Sequence, residues 1–178
     1  MADELPAKDR SPLLPSLDQD VVLSSRIRLA RNVAETPFPG HLKEADADAL
    51  LKKMQEALKT VQVPGGLHLQ QLEDLPEVVR QTLVEKHLLS PAFIAEPMAF
   101  HALAIDEREQ ISIMINEEDH VRLQVLLPGR DLMTAWRMAT QVDDELEAQI
   151  TWAFAEKYGY LTACPTNIGT AMRASVMV

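Results

Sequence analysis

The sequence predicts an α+β fold in which an antiparallel sheet is flanked by helices. Between positions 99 and 127, three β-like segments, FHALAI, ISIMI and VRLQVLL, are separated only by DEREQ and NEEDH, as in a meander of antiparallel strands. Apolar residues recur every three or four positions at 43–60, 75–89 and 131–158, the period of helices that bury one face. Strand and helix signals alternate irregularly, so an α+β arrangement is favoured.

The composition limits the classes of protein to consider. The chain has 178 residues, of which 47% are hydrophobic, enough for one domain with a buried core. No run approaches ~18 apolar residues, and MADELPAKDR lacks the features of a secretory signal, so we expect no membrane span and no export. Cys164 is the single cysteine, which suits a reducing compartment, and we expect the cytoplasm.

The charge pattern points to a small anion as ligand. Acidic residues number 27 against 17 basic ones, so the net charge is -10, and we expect no direct contact with nucleic acid. Residues 1–19 are read as a flexible lead-in to a domain over 20–178. The stretch VVLSSRIRLARN then reads as a strand with Ser24, Arg26 and Arg28 on one face, ~6.5 Å between alternate side chains. Both arginines can therefore face one polyanion.

The remaining elements follow in order. A helix is expected from Lys43 to Thr60, ending before VPGG. A second is expected from Leu75 to Leu89, with Asp74 and Glu77 at capping-box spacing, and it stops at SP. After the three strands, a third helix is expected from a cap at Asp131 to a stop at Gly159. The tail is read as a short strand, a turn-rich loop and the beginning of another strand.

Four features are candidates for chemistry, and each also has a purely structural interpretation. NEEDH at 116–120 places three carboxylates before a histidine, but Asn and Asp also favour a solvated turn. Cys164 in CPTN is a possible reactive thiol or a small hydrophobic residue beside a turn. Arg173 is equally suited to a strand surface, and His87 to a helix end, where its charge complements the dipole.

The order of five stretches resembles a known family. SSRIRLARN, LVEKHLLSP, INEEDHVRLQ, QVDDELE and CPTNIGTAMRASV are similar to the bacterial protein arginine kinases, members of the ATP:guanido phosphotransferase (phosphagen kinase) family. The likeness runs from Val21 to Val178. It implies a glutamine-synthetase-like antiparallel sheet with helices on one face, the N-terminal part of a phosphagen kinase catalytic domain at 20–178, and ATP-dependent phosphorylation of protein arginines.

The resemblance also implies a nucleotide site with Mg²⁺. In the family, the arginine run after the paired serines contacts the phosphates, and a histidine, an arginine after NEEDH and the RASVM stretch line the same site. The corresponding residues here are Ser24, Ser25, Arg26, Ile27, Arg28, His87, Arg122, Arg173, Ala174, Ser175, Val176 and Met177. The charge of several arginines suits phosphoryl transfer, and no cluster of metal ligands is expected from the protein.

Catalytic roles come from the same likeness. A guanidinium has no free lone pair, so a base must take a proton during attack, and the matching carboxylate is Glu118. Glu117 would position the substrate or waters on magnesium. Cys164 would lie beside the substrate guanidinium, where a thiolate orients the reacting nitrogen.

Two departures from the family pattern and several alternatives accompany this interpretation. Ala171 stands where the family loop has glycine, which matters if that position needs a positive φ. Only 23 residues precede Ser24, which favours an open site for protein-borne arginine, and the family's C-terminal continuation is missing, so the chain is expected to be incomplete. Alternatives are a small-molecule guanidino kinase or a non-catalytic binding fragment. By resemblance, partners would include a heat-shock repressor and a Clp-type ATPase, with a role in stress response.

Overall fold

The computed structural model describes residues 21–95 and 100–178, so the predicted lead-in at 1–19 lies outside the described residues. In chain order the elements are β1 (Ser24–Arg31), α1 (Glu44–Leu58), β2 (Leu67–Gln71), α2 (Glu77–Glu85), α3 (Pro91–Ala95), β3 (Ala102–Asp106), β4 (Ile111–Ile115), β5 (Val121–Pro128), α4 (Leu132–Glu147), β6 (Phe154–Ala155), β7 (Gly159–Tyr160) and β8 (Met172–Met177). The predicted α+β class, with an antiparallel sheet flanked by helices, is confirmed.

One six-stranded antiparallel sheet dominates the described part of the chain, in the order β2-β3-β4-β5-β1-β8. The meander predicted for 99–127 is its centre, as β3, β4 and β5. β1 then inserts between β5 and β8, so the first and last described strands are neighbours. Residues separated by most of the sequence therefore lie side by side on β1 and β8.

The two faces of the sheet are covered differently. On one face, apolar side chains of the strands pack with α1 and α4 in the main core, which includes Ile27, Leu123 and Ile113. On the other face, a smaller cluster with Leu103 and Met114 lies under α2 and α3. The expectation of helices on one face is therefore wrong, because α2 and α3 cover the β3–β4 part of the opposite face. β1, β5 and β8 carry Arg26, Arg28, Arg122 and Arg173 on that same opposite face.

α2 begins later than predicted. Its N-cap is Pro76, with extended backbone at ψ 144°, and no side chain caps the helix. The helical conformation is disfavoured for a residue that precedes proline, so Leu75 does not start the helix. Asp74 is then too far from the first turn to cap it. The helix ends before His87, whose φ of 61° is left-handed. The capping box was wrong, and α3, which the sequence analysis missed, begins at the proline predicted to be a stop.

α4 is shorter than predicted at its C-terminal end. Asp131 caps it as expected, its side chain accepting a bond from the Thr134 amide. The helix ends at Glu147, and β6 and β7 then form a short hairpin. Phe154 is 59% exposed, so its place in the helical period did not reflect core packing. Gly159 is the first residue of β7, with φ 79°, rather than a helix stop.

Candidate active site

Four arginines from three neighbouring strands share one face of the sheet. Arg26 and Arg28 alternate with buried residues along β1, as the strand period predicted. Arg173 on β8 pairs directly with Arg28, and Ser175 pairs with Arg26. On β5, Gln124 pairs with Arg28, and Arg122 lies two residues away on the same face. The fold thus gathers arginines that lie up to 147 positions apart in the sequence.

The arginines repel one another. Burial, followed in order of effect by the charges of Arg26, Arg122 and Arg173, lowers the pKa of Arg28 to about 10, while the charge of Glu117 opposes the shift. The pKa of Arg26 is also lowered, first by burial and then by Arg122 and Arg173. Within the described residues, no ion pair is formed by Arg26, Arg28 or Arg173. The cluster is therefore suited to an anionic ligand that supplies the missing negative charge.

Several residues of the expected nucleotide site lie on the other side of these strands. The Ser25 side chain is buried, donates to the Gly129 carbonyl and accepts from the Asp131 amide, so it organises the start of α4. Ile27 is in the core. Ala174 pairs with Ile27 and Val176 with Ser25, so these β8 side chains also point away from the arginines. Ser24, Ser175 and Met177 lie on the arginine face.

The NEEDH loop brings two carboxylates to the edge of the cluster. Glu117 accepts hydrogen bonds of 2.6 Å from Ser90 Oγ and from Arg122 Nη1, and its side chain is only 9% exposed. Its Oε2 lies 2.6 Å from the same Nη1 but, within the described residues, receives no hydrogen bond. Glu118 is 46% exposed, and its Oε2 lies 4.0 Å from Arg122 Nη2. Glu118 thus remains available to a ligand, whereas Glu117 is largely engaged.

Three cavities meet at Arg28 and Arg122, which line all of them. The largest, about 700 Å³, extends past Glu117 and Glu118. One of about 220 Å³ is lined by Glu118, Cys164 and Arg173 among others. One of about 250 Å³ includes Arg26 and His87. The structure therefore brings the sequence-predicted residues Arg26, Arg28, His87, Glu117, Glu118, Arg122, Cys164 and Arg173 around one centre.

A buried polar network that the sequence analysis did not identify connects the NEEDH loop to the loop that carries Cys164. Asp119 Oδ1 accepts from Asn32 Nδ2 at 2.6 Å and from the Ala163 amide at 2.7 Å. Asn32 Oδ1 accepts from the His120 amide, and Nδ2 also donates to the Leu161 carbonyl. These bonds fix the residues next to Glu118 and Cys164. The sequence contains Asn32 in SSRIRLARN and Asp119 in NEEDH, but nothing in it indicates that the two side chains are in contact.

His120 is fully buried in that network. Its Nδ1 accepts from the Val33 amide at 3.0 Å, and its Nε2 donates to the Pro37 carbonyl at 2.9 Å. This arrangement requires the neutral ring, and burial lowers the pKa of His120 accordingly. His120 therefore stabilises the loop rather than contributing charge to the arginine cluster.

Ala171 closes the smaller Cys164 cavity in a strained conformation. Its φ is 49°, and its side chain is buried. The position therefore does adopt the positive φ for which the family glycine is suited. A residue with a Cβ carries a conformational cost here.

The described residues contain no group of three His, Cys, Asp or Glu side chains placed to hold a metal ion. In the same part of the chain, no helix is both long and apolar enough to cross a membrane.

Comparisons with known proteins place this geometry in context. The model of the ATP:guanido phosphotransferase C-terminal catalytic domain matches residues 49–178. A protein-arginine kinase of Symbiobacterium thermophilum is 52% identical over 162 residues, 89% of this chain and 46% of the relative. One from Halothermothrix orenii is 50% identical over 161 residues, 90% of this chain and 46% of the relative. The chain therefore spans less than half the length of these curated relatives.

Solved structures resemble the fold closely. A duplicated taurocyamine kinase from Schistosoma mansoni, with bound transition state analog components, matches with a TM-score of 0.82 and 27% identity, over 87% of this chain and 23% of that one. A lombricine kinase matches with a TM-score of 0.77 and 21% identity, over 89% of this chain and 48% of that one. At that identity the second likeness concerns the fold alone.

Proposed function

Because the chain belongs to the ATP:guanido phosphotransferase family, we propose that it supplies the nucleotide-binding face of an enzyme that phosphorylates arginine residues of proteins with ATP. The observation that carries the proposal is the cluster Arg26, Arg28, Arg122 and Arg173, largely without carboxylate partners, next to the exposed Glu118. A triphosphate provides the charge that this cluster lacks, and guanidinium forks match phosphate oxygens.

The reaction we propose is an in-line transfer of the terminal phosphoryl group. A guanidino nitrogen of the acceptor forms a bond to the γ-phosphorus while the bond from that phosphorus to the β,γ-bridging oxygen breaks, and ADP leaves with those electrons. Glu118 accepts the proton lost by the attacking nitrogen. Arg28, which lines all three cavities, stabilises the charge on the transferring phosphoryl group and on ADP.

Cys164 and His87 have positions that suit supporting roles. Cys164 shares the 220 Å³ cavity with Glu118, so its sulfur can orient the acceptor guanidinium beside the base. His87 shares the 250 Å³ cavity with Arg26, on the other side of Arg28, where the remainder of the nucleotide would lie. In this proposal the acceptor and the nucleotide lie on opposite sides of the phosphate-binding arginines.

Magnesium fits this donor set through the nucleotide. Mg²⁺ keeps several waters and is held largely by substrate phosphates, so a protein needs few ligands of its own. Glu117, with one oxygen that receives no hydrogen bond from the described residues, is the residue that would accept from a water on the ion. When bound, the ion would neutralise charge on the phosphates.

A protein acceptor is proposed because the relatives that are 52% and 50% identical to this chain are named protein-arginine kinases. The taurocyamine and lombricine kinases, whose names indicate other guanidino acceptors, are more distant at 27% and 21% identity. A heat-shock repressor and a Clp-type ATPase as partners, a role in stress response and a cytoplasmic location remain proposals drawn from the family resemblance. A non-catalytic nucleotide-binding fragment is the second candidate, since the arginine cluster by itself would account for ATP binding.

The test is phosphorylation by the intact protein that contains this chain. With Mg·ATP, we expect mass spectrometry to detect phosphoarginine on an arginine-rich protein and far less product from free arginine. Glu118→Gln should lower kcat by about 10²- to 10⁴-fold and leave ATP affinity, measured by calorimetry, nearly unchanged. Glu73→Gln, at an exposed carboxylate outside the three cavities, is the matched control.

Three results would contradict parts of this proposal. Near-normal turnover in Glu118→Gln would remove Glu118 from the role of base. Preference for free arginine would indicate the small-molecule alternative. ATP binding without any phosphoarginine from the intact protein would favour the non-catalytic candidate.

A further inference from the structure

The largest cavity extends well beyond the groups used in the reaction. Its volume is about 700 Å³, against about 220 Å³ for the cavity that contains Cys164. Only its inner end, at Arg28, Glu117, Glu118 and Arg122, belongs to the chemistry described above. Its size is in the range of sites that take a ligand of several dozen atoms, roughly 300–1,000 Å³. The outer part therefore has room for something larger than a phosphate or a guanidinium.

The outer part is mainly apolar and aromatic. Phe93 and Phe100 both lie near the His101 ring, with ring centroids 4.7 Å and 5.8 Å from it. Pro39 and Leu42, from the loop after β1, line the cavity as well. Pro91 and Ala92 add the first turn of α3. Such a lining favours methylene groups and apolar side chains over phosphates or sugars.

The end of the cavity that carries Glu117 and Glu118 adjoins the reaction centre. Glu118 lines both the 700 Å³ cavity and the 220 Å³ cavity, so the two spaces adjoin at the proposed base. An arginine whose guanidinium reaches Glu118 and Cys164 must have its methylene stem and its main chain in an adjoining space. The 250 Å³ cavity on the nucleotide side is lined by arginines without a carboxylate, so it repels a cationic side chain. In the 700 Å³ cavity, Glu117 and Glu118 offset the charges of the two arginines that line it.

We propose that the outer part of this cavity binds the acceptor polypeptide, holding the methylene stem of the target arginine and an apolar residue next to it in sequence. The inference rests on the proposed function and adds a substrate preference to it. Acceptor sites with an apolar neighbour are phosphorylated faster than sites with an acidic neighbour, because the partly exposed wall at Pro39, Leu42 and Phe100 gains apolar contact and the glutamates repel a carboxylate.

Two positions allow the cavity to be filled without disturbing the core. A Cβ added at Gly40 meets no other heavy atom within 4 Å, and its φ is outside the left-handed range, so Gly40→Trp adds bulk at the cavity wall without backbone strain. Gly40→Ala is the matched control with little added volume. Ala92, exposed on α3, provides a second filling variant, Ala92→Trp, on a different element.

The experiment measures kcat/KM of the intact protein for two acceptors, an arginine-containing peptide with a leucine next to the arginine and the small guanidine methylguanidine. The ratio of the two values reports the use of the outer cavity. We expect Gly40→Trp and Ala92→Trp to lower this ratio by about tenfold or more, with Gly40→Ala close to wild type. For the wild-type protein, replacing the leucine of the peptide by aspartate should also lower the ratio of the peptide kcat/KM to the methylguanidine kcat/KM.

Thermal unfolding of each variant confirms that it is folded before its kinetics are compared. An unchanged ratio in both folded tryptophan variants, or equal rates for the leucine and aspartate peptides, would overturn the acceptor cavity and leave the proposed function standing. If wild type phosphorylates neither acceptor, the proposed function fails and this inference fails with it.

Discussion

The strand β1 carries three arginines with two different environments. Arg31 is 4% exposed and forms a buried ion pair with Asp143, with contacts of 2.6 to 3.1 Å, while its guanidinium lies 3.6 Å from the Tyr160 ring centroid. It also donates to the Ala30 and Thr170 carbonyls. Arg26 and Arg28, only three to five residues earlier, form no ion pair in the described part of the chain.

The difference separates a structural arginine from a ligand-binding one. Arg31 has its charge balanced and its donors occupied, so it ties β1 to α4 and to the loop before β8. Burial raises the pKa of Asp143 and the Arg31 guanidinium opposes that shift, as expected for a pair held together in the core. Arg28 instead has a pKa lowered to about 10, so keeping it charged costs the folded chain free energy. A bound anion would stabilise the charged form of Arg28 and offset that free energy.

The largest effect is expected from breaking the paired arginine. Arg31→Ala leaves Asp143 buried without its partner and should destabilise the chain by about 3–5 kcal/mol. Urea unfolding followed by circular dichroism measures the loss. Arg137→Ala, at an exposed arginine of α4, is the control and should have little effect. A cost below about 1 kcal/mol for Arg31→Ala would mean that the pair behaves like a surface ion pair.

Replacing Arg26 or Arg28 should weaken ligand binding rather than lower the stability of the fold. Arg28→Ala and Arg26→Ala should each weaken ATP binding by about 1.5–3 kcal/mol, since charge-assisted bonds to phosphate are lost. Because the mutual repulsion is also removed, the free energy of unfolding without ligand should stay the same or rise. Arg28→Lys should restore affinity only in part, as it lacks the fork geometry.

Calorimetry with ATP and urea unfolding without it separate the two effects, and Arg108→Ala, at an exposed turn, is the control. Unchanged affinity in both alanine variants would indicate that the cluster serves the fold or a partner instead of the nucleotide.

A smaller effect is expected from the buried hydrogen bonds that join the NEEDH loop to the loop that carries Cys164. Asp119→Ala removes the acceptor of both Asn32 Nδ2 and the Ala163 amide and should cost about 1–3 kcal/mol. It should also change the rate at which iodoacetamide alkylates Cys164, since the loop that carries the thiol loses its anchor. Asp119→Asn keeps Oδ1, which accepts both bonds, and should retain most of the wild-type behaviour.

Asp106→Ala is the matched control, because Asp106 is also buried and accepts three backbone amides, at the β3–β4 turn away from Cys164. It should lower stability without changing the alkylation rate. Equal alkylation rates in folded Asp119→Ala and wild type would show that the network supports the fold but does not position the thiol.

The smallest effect concerns the loop that Arg31 anchors through the Thr170 carbonyl. Ala171, with φ 49°, follows Thr170, and its carbonyl accepts from the Ala30 amide. Ala171→Gly relieves the left-handed strain and should raise the free energy of unfolding by about 0.5–1 kcal/mol. The measurement is the same urea titration. A destabilised glycine variant would mean that the buried methyl group contributes more by packing than its backbone strain costs.

Local pattern alone determined much of the fold and part of the site. The period of two in SSRIRLARN placed Arg26 and Arg28 on one face, and the meander, α1 and the cap of α4 followed from apolar spacing and turn residues. The family resemblance assigned the remaining site residues. Each of these predictions depends on neighbours within a few positions, where side-chain direction follows directly from the backbone period.

The tertiary structure decided which of those residues meet. The sequence indicated β8 only as the beginning of a strand, but in the structure β8 pairs with β1 and places Arg173 opposite Arg28, 145 residues away in sequence. Asp143, the partner of Arg31, is 112 residues from it, and α2 and α3 cross to the arginine side of the sheet. Residues so far apart are unconstrained by local period, because only the burial of apolar faces and the pairing of strands across the sheet brings them together.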